Sequence, residues 1–446
     1  MVSAVEGEVT LTTRQRQWIE AAWASIDRDE VARLLIDMVN IPSPPGAERP
    51  LAEFITAHLS ERGVTARCQL LDDQQANAVG VRGGRGGGGD LLLYAPIDTA
   101  FTGSEDDDLP WTGPRLRADL VPAATMRDGF VVGLGAENPK GYAACVISAI
   151  EAIARADIPL AGDLLVGLGA GGMPANAPVR RTGRRNVAQG VGCAYMLEQG
   201  IRADFAVIAK PGWTVSWEEV GVCWFRVDVR GILAYTGMRH ILPYRNAIVA
   251  AAEVAQALER WFPEYTARNT SGFVAPQGSI GAIVGGWPHK PAFAPAVCEI
   301  YVDLRASPRT SPSDVKAQFA EAMGRIRQAH PHLDFGWEMI LGIPGSHSDP
   351  DGWVVRSTIR GWEALEGKPH VAEGGKSGAT DANILRQWGV PTARIGMPRP
   401  PLAGPFAGEF SMGVAYLESL HTLIKLLVHV AVDTCTRPRA ELGLMS

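Results

Sequence analysis

The spacing of apolar residues divides the chain into two kinds of segment. From Arg14 to Asn40 they recur at helical intervals (Trp18, Ala22, Ile26, Val31, Leu34, Leu35, Met38), until IPSPPG stops the pattern, because prolines cannot continue a helix. A second amphipathic helix is predicted from about Arg49 to Arg62. QANAVGVRG alternates as a strand does, and RGGRGGGGD then reads as a hairpin-like turn. DLLLYAPID, DLLVGLGAGG and DFAVIAK are near-continuous apolar runs, the signature of strands buried on both faces of a parallel sheet. Between the first two, GLGAENPKGYAACVISAIEAIAR passes from a glycine-rich loop into an apolar helix.

Near Trp217 the rhythm changes. EEVGVCWFRVDVRG alternates as a half-exposed strand, and NAIVAAAEVAQALERW is a helix. The strands SIGAIVGGW and AVCEIYVDLRA, the helix SPSDVKAQFAEAMGRIRQA and the strand LDFGWEMI follow. Strand, helix, strand, strand, helix, strand is the ferredoxin-like order. The first pattern then resumes with the helix WVVRSTIRGWEALEG, the glycine-rich GGKSGATD, the strand PTARIGM and the helix VAYLESLHTLIKLLVHVAV. Domains are therefore expected at 1–216, 217–341 and 342–446, the first and last forming one α/β domain split by an inserted α+β domain.

A length of 446 residues suits two such domains, and 46% hydrophobic with 20% charged residues is ordinary for a folded protein. A formal net charge of −6 argues against a nucleic-acid partner, which needs phosphate-neutralising cations. No apolar run reaches the ~18 residues of a membrane span, and the N-terminus lacks the apolar centre of a signal peptide. Six scattered cysteines with no CxxC pair fit free thiols in a reducing compartment, so a cytoplasmic location is expected. MPANAPVRRTGRRNVAQG carries Arg180, Arg181, Arg184 and Arg185 among small residues. It reads as a solvated loop, with an anion-binding lid as the sharper alternative.

The order of these elements resembles the dizinc deacylase and exopeptidase family, which includes acetylornithine deacetylase, succinyl-diaminopimelate desuccinylase, aminoacylase and glutamate carboxypeptidase. Four motifs carry the resemblance: GLGAENPKG, GGKSGATDANILRQWGVP, VRGILAYTGMRHILPYRNAI and VDLRASP. It implies a zinc-exopeptidase-like three-layer α/β domain with an inserted ferredoxin-like lid, and a homodimer formed through that lid. In the family, two zinc ions share a bridging water held by histidines and carboxylates, and a glutamate serves as base.

Matched position by position, the resemblance implies that these ligands are replaced. The first motif reads Ala95-Pro96-Ile97-Asp98, with Pro96 at the histidine and Asp98 kept. Asn138 stands at the bridging aspartate, and Ala170, Gly171 and Gly172 where the paired glutamates belong. Lys210 takes the next carboxylate position and Pro405 that of the final histidine. No metal or other cofactor is therefore expected.

The polar residues that remain are candidates for a different chemistry. Asp98, Lys210, Lys376 and Ser377 are the catalytic candidates. Lys210 ends an apolar strand, where burial lowers an amine's pKa and fits it as base, nucleophile or metal-replacing charge; the alternative is a lysine plugging a vacated cavity against Asp98 or Glu409. Lys376 and Ser377 make either a Ser–Lys nucleophile or an ordinary anion-binding loop. Asn138, Lys140, Tyr235, His240, Asn246, Arg305, Asp381 and Glu409 are candidates for substrate contacts. Lys140 is alternatively a support for the Asn138 loop, and Asp381 alternatively a helix cap. Arg305 resembles the family arginine that grips a substrate carboxylate, and either Tyr235 or His240 replaces the lid histidine. His289, His330, His332, His347, His370, His421 and His429 show no ligand spacing, and Cys193 has no visible histidine partner.

The expected function is hydrolysis of an amide or related C–N bond in a small carboxylate-bearing substrate, without metal. The alternatives are a non-catalytic protein binding a small ligand or protein partner, and a conventional zinc hydrolase whose ligands lie one residue away.

Overall fold

A computed structural model describes residues 10–176 and 186–445; the four arginines of the basic loop lie outside them. The chain divides into two compact units, one of Met1–Trp217, Ser348–Val371 and Thr380–Ser446, the other of Glu218–His347 and Ala372–Ala379.

Six strands form the sheet of the first unit, in the order Thr65–Leu70, Ala76–Arg82, Leu164–Gly169, Leu91–Pro96, Phe205–Ala209, Thr392–Ile395. The last four run parallel, and the two at the near edge are antiparallel. Side-chain alternation sends Leu91, Leu93 and Ala95 to one face, where they pack with the helices Lys140–Arg155 and Leu417–Cys435. Leu92 and Tyr94 point to the other face, against Cys193, Met196 and Leu197 of the helix Val191–Glu198 and Leu385 of Ala382–Gln387. Three layers result, because a strand apolar on both faces needs a helix layer over each.

Two local expectations are corrected. The glycine run after Ala76–Arg82 makes no hairpin: Leu164–Gly169 lies between Ala76–Arg82 and Leu91–Pro96 and pairs with both. Its glycines serve close approach instead, since a Cβ on Gly84 would stand 2.4 Å from Gly162 O and one on Gly88 2.2 Å from Gly162 N. The first helical segment is two helices, Thr13–Ala24 and Arg28–Val39. Asp27 interrupts it by accepting the Asp29 and Glu30 N–H groups, a side-chain cap that outweighs the continuing apolar period.

The second unit has a four-stranded antiparallel sheet, ordered Gly278–Gly285, Val297–Ala306, Gly221–Arg230, Asp334–Ile343. The helices Ala247–Asn269 and Pro312–Ala329 cover one face through Val254, Leu258, Phe319 and Met323. Chain order and strand order are both ferredoxin-like. Among the described residues no helix is long and apolar enough to cross a membrane.

Candidate functional site

The C-terminal ends of the parallel strands in the first unit bring together Asp98, Lys210, Asn138 and the segment Ala170–Met173. Parallel α/β sheets place their sites at this edge because the strands end there in loops facing a common crevice.

Asp98 follows Leu91–Pro96 and is fully buried. Its Oδ1 accepts the Gly172 N–H at 2.7 Å and its Oδ2 the Met173 N–H at 3.0 Å. The next N–H back, that of Gly171, donates at 3.0 Å to Oε1 of Glu48, which Gln75 Nε2 also approaches at 3.1 Å. Three successive backbone N–H groups thus point at two buried carboxyls, a concave nest of the kind that holds anions. Glu48 Oε2 is buried with no hydrogen-bond partner. Burial, with the neighbouring Asp98 charge, pushes the Glu48 carboxyl up to about 8. Burial raises Asp98 to about 6, opposed by its backbone N–H donors and by the Lys210 charge.

The nest depends on its glycines. Gly171 has a φ of +61°, in the left-handed region. A Cβ on Gly172 would stand 2.4 Å from Asp381 Oδ2 and 2.5 Å from Pro96 Cβ. No side chain fits there in this backbone.

Lys210 ends Phe205–Ala209 and is buried. Its Nζ donates to Asn138 Oδ1 at 3.1 Å and lies 3.0 Å from Met173 Sδ. Asn138 sits two residues before the helix Lys140–Arg155. Beside it, burial raises the Glu137 carboxyl to about 7, although the Tyr142 hydroxyl donates to it at 3.3 Å. Lys140 is fully buried and its Nζ donates to Ile41 O at 2.7 Å; desolvation lowers the amine to about 7.

Asp381 borders this site at the Gly172 position, whereas most of the remaining candidates are held by other partners. Asp381 makes no side-chain cap for Ala382–Gln387: its Oδ2 accepts the buried Tyr94 hydroxyl at 2.7 Å, and Thr380 Oγ1 accepts the Ala382 N–H instead. Glu409 pairs with Arg117 Nη1 at 2.6 Å, and the same guanidinium forks onto fully buried Asp119 at 2.9 and 2.7 Å. Lys376 and Ser377 belong to the second unit. There the Lys376 N–H donates to Phe273 O, and Ser377 Oγ accepts the Gln277 N–H at 3.1 Å. Arg305 donates to Asp303 at 2.8 Å. Asn246 caps Ala247–Asn269 by accepting the Ile248 N–H, Tyr235 packs on Phe293, and His240 is exposed. Cys193 is buried, and its thiol is pushed far up by desolvation, the opposite of what a nucleophile needs.

Sequence reasoning missed Glu48, Tyr94, Glu137 and Arg117. An acidic residue immediately before a helix, as Glu48 is before Arg49–Glu61, reads as a solvent-facing start; its buried partner, the Gly171 N–H, is 123 residues away.

Zinc requires three or four nitrogen, oxygen or sulfur donors at roughly 2.0–2.3 Å. At the strand mouths the groups around Asp98 are backbone N–H donors, the Lys210 amine, the Asn138 amide and the carboxyls of Glu48 and Asp381. Among the described residues, the only clustered set of three His, Cys, Asp or Glu ligand atoms is Glu253, His330 and His332, in the second unit. No such set of three lies at the strand mouths among the described residues.

No family model matches the chain. It is similar to the N-formyl-4-amino-5-aminomethyl-2-methylpyrimidine deformylase of Bacillus subtilis, 22% identical over 441 residues covering 92% of this chain and 95% of that protein. The enzyme of the same description from Halalkalibacterium halodurans is 22% identical over 407 residues, covering 85% and 90%. Among solved structures, human carnosine dipeptidase 1 matches with a TM-score of 0.69 at 16% identity, over 93% of this chain and 98% of that one. An M20 family metallo-carboxypeptidase from Sulfolobus solfataricus matches with a TM-score of 0.65 at 13% identity, over 92% and 99%.

Proposed function

We propose that this chain, a relative of the dizinc deacylase and exopeptidase family, hydrolyses an amide or related C–N bond of a small carboxylate-bearing substrate without the two metal ions. N-acyl, N-formyl and ureido amino acids are the substrate class. The observation that carries the reading is the placement of the Lys210 amine at the mouth of the parallel strands, bonded to Asn138 and acting on the buried Asp98. A fixed cation in a water-poor site stabilises a developing oxyanion, work otherwise done by a metal. Asp98, whose carboxyl is raised to about 6, is placed to exchange a proton near neutrality.

In the second unit, Arg305 is the proposed grip for a substrate carboxylate, and Lys376, Ser377 and Tyr235 or His240 are the proposed polar supports. That unit also serves as the pairing surface of a homodimer. Supporting this are the exposed Ile283 and Val284 on the edge strand Gly278–Gly285, with Ile248, Val249 and Trp287 exposed in the same unit. Six free thiols, five of them buried, fit a cytoplasmic setting.

A second reading, a protein that binds a small ligand or protein partner without turnover, is favoured by how many candidates already have partners within the chain: Glu409 on Arg117, Arg305 on Asp303, Asp381 on Tyr94. One experiment separates the readings. The substrate class is screened with wild type and Lys210→Ala, each with and without chelator. Turnover that survives the chelator and vanishes in Lys210→Ala is expected. Turnover abolished by chelator, with about two zinc per chain, overturns metal independence; saturable binding with no turnover assigns the second reading.

A further inference from the structure

We propose that Glu253, His330 and His332 form a surface site for one divalent transition-metal ion of the zinc type, separate from the strand mouths of the first unit and independent of the hydrolase reading.

The helices Ala247–Asn269 and Pro312–Ala329 are joined along their seam by ion pairs. Arg268 meets Glu321 at 3.1 Å, and Glu264 takes both arms of Arg325 at 3.0 and 3.1 Å. Further along, the seam changes character: Glu253 faces two imidazoles in place of a guanidinium. His330 is the residue that ends Pro312–Ala329, and its carbonyl accepts the Leu333 N–H, turning the chain so that His332 comes back to the same carboxylate. Pro331 between them restricts the backbone of the turn.

The distances suit a metal. Glu253 Oε2 lies 3.0 Å from His332 Nε2 and 3.5 Å from His330 Nδ1, and all three ligand atoms lie within 4.8 Å of one another. Donors bound at ~2.0–2.1 Å around a tetrahedral zinc are separated by about 3.3 Å. An ion fits among these three atoms with shifts of a few tenths of an ångström on two edges and a modest inward turn of the histidines on the third. Two imidazole nitrogens and one carboxylate oxygen are borderline donors that suit zinc, nickel or copper over calcium or magnesium. The side chains are 37%, 28% and 62% exposed for Glu253, His330 and His332, so an ion has an entry path and a position left for water. The neighbouring cation Arg325 is neutralised by Glu264.

Without metal, a single carboxylate oxygen faces two imidazoles whose centroids are 6.0 Å apart. Metal binding uses neutral imidazoles and a carboxylate, releasing any proton the rings carry. It would tie the second turn of Ala247–Asn269 to the end of Pro312–Ala329, stabilising the folded second unit by linkage.

The test is a titration of chelator-treated, buffer-exchanged full-length protein with ZnCl2 at pH 7.5, followed by calorimetry and thermal melting. Wild type, Glu253→Gln, His332→Ala and the double variant His330→Ala/His332→Ala are compared. One zinc per chain is expected, with a Tm rise of a few degrees at saturation. His332→Ala should bind at least tenfold more weakly, and the double variant should show neither heat nor Tm shift. Equal zinc binding by wild type and the double variant overturns the site, and so does the absence of zinc binding in wild type when all variants melt alike. Zinc lost in the double variant leaves the metal-free hydrolase reading untouched, so failure of this site and failure of that reading are read separately.

Discussion

Lys210 Nζ donates directly to Asn138 Oδ1 at 3.1 Å, so two positions at which the family resemblance places carboxylate ligands are here bonded to each other. The amine also has Met173 Sδ at 3.0 Å, and its charge acts on Asp98. Replacing Lys210 alters the charge felt by Asp98, whereas replacing Asn138 removes the acceptor that positions the amine.

Lys210→Met should therefore abolish the proposed turnover, while Lys210→Arg keeps a fraction of it. Loss of one preorganised electrostatic stabiliser costs about 10²–10³ in kcat. Steady-state kinetics on the best substrate of the screen decides; a methionine variant with wild-type kcat would remove Lys210 from the chemistry.

Glu48 predicts a pH dependence of stability. Its carboxyl is raised from 4.5 to about 8, chiefly by burial, so the folded state holds a proton that the unfolded chain releases. The stabilisation is complete below about pH 4.5 and is lost as pH rises through 8. The Tm of wild type relative to Glu48→Gln should fall across that window, because only wild type carries the titrating carboxyl. A pH-independent difference would mean that Glu48 is ionised throughout.

Tyr94 and Gly169 form a matched pair. The Tyr94 hydroxyl occupies the space of a Gly169 Cβ, 1.9 Å from where that atom would be, and from there it donates to Asp381. Tyr94→Phe removes the hydroxyl donor and should cost about 1–2 kcal/mol. Gly169→Ala must displace the ring and should cost more, about 2–3 kcal/mol. Denaturant unfolding ranks the two, and the reverse order would refute the packing argument.

Arg117→Ala strands the fully buried Asp119, leaving it the Ser411 hydroxyl at 2.6 Å. Breaking a buried pair costs about 3–5 kcal/mol, and the 31% exposure of Arg117 points to the lower end. Glu409→Gln removes only the outer contact and should destabilise far less. Equal losses in the two variants would shift the weight of the cluster to Glu409.

Elements whose pattern is local were legible in the sequence. Runs such as DLLLYAP and DFAVIA fix buried parallel strands, and the order of alternating and helical segments after Trp217 gives the ferredoxin-like unit. Side-chain partners were legible only where they lie nearby. Asp381 reads as a cap because the residues after it form a helix, yet its hydroxyl donor is 287 residues away. Glu409 reads as part of the strand-mouth cluster until Arg117, 292 residues distant, is seen to hold it. His330 and His332 lack ligand spacing because the third donor, Glu253, lies 79 residues from His332 on another helix. The glycine run suggests a hairpin because glycine permits turns and close backbone contact alike, and only the neighbouring Gly162 distinguishes them.

The crowding around Gly172 also limits substitution. With Pro96 and Asp381 filling the space of its missing Cβ, a mutation that put an acidic residue at that corner would meet steric conflict before it could bring any benefit. A larger residue there would need compensating changes at Pro96 or Asp381 in the same step, so this corner resists change by single substitutions.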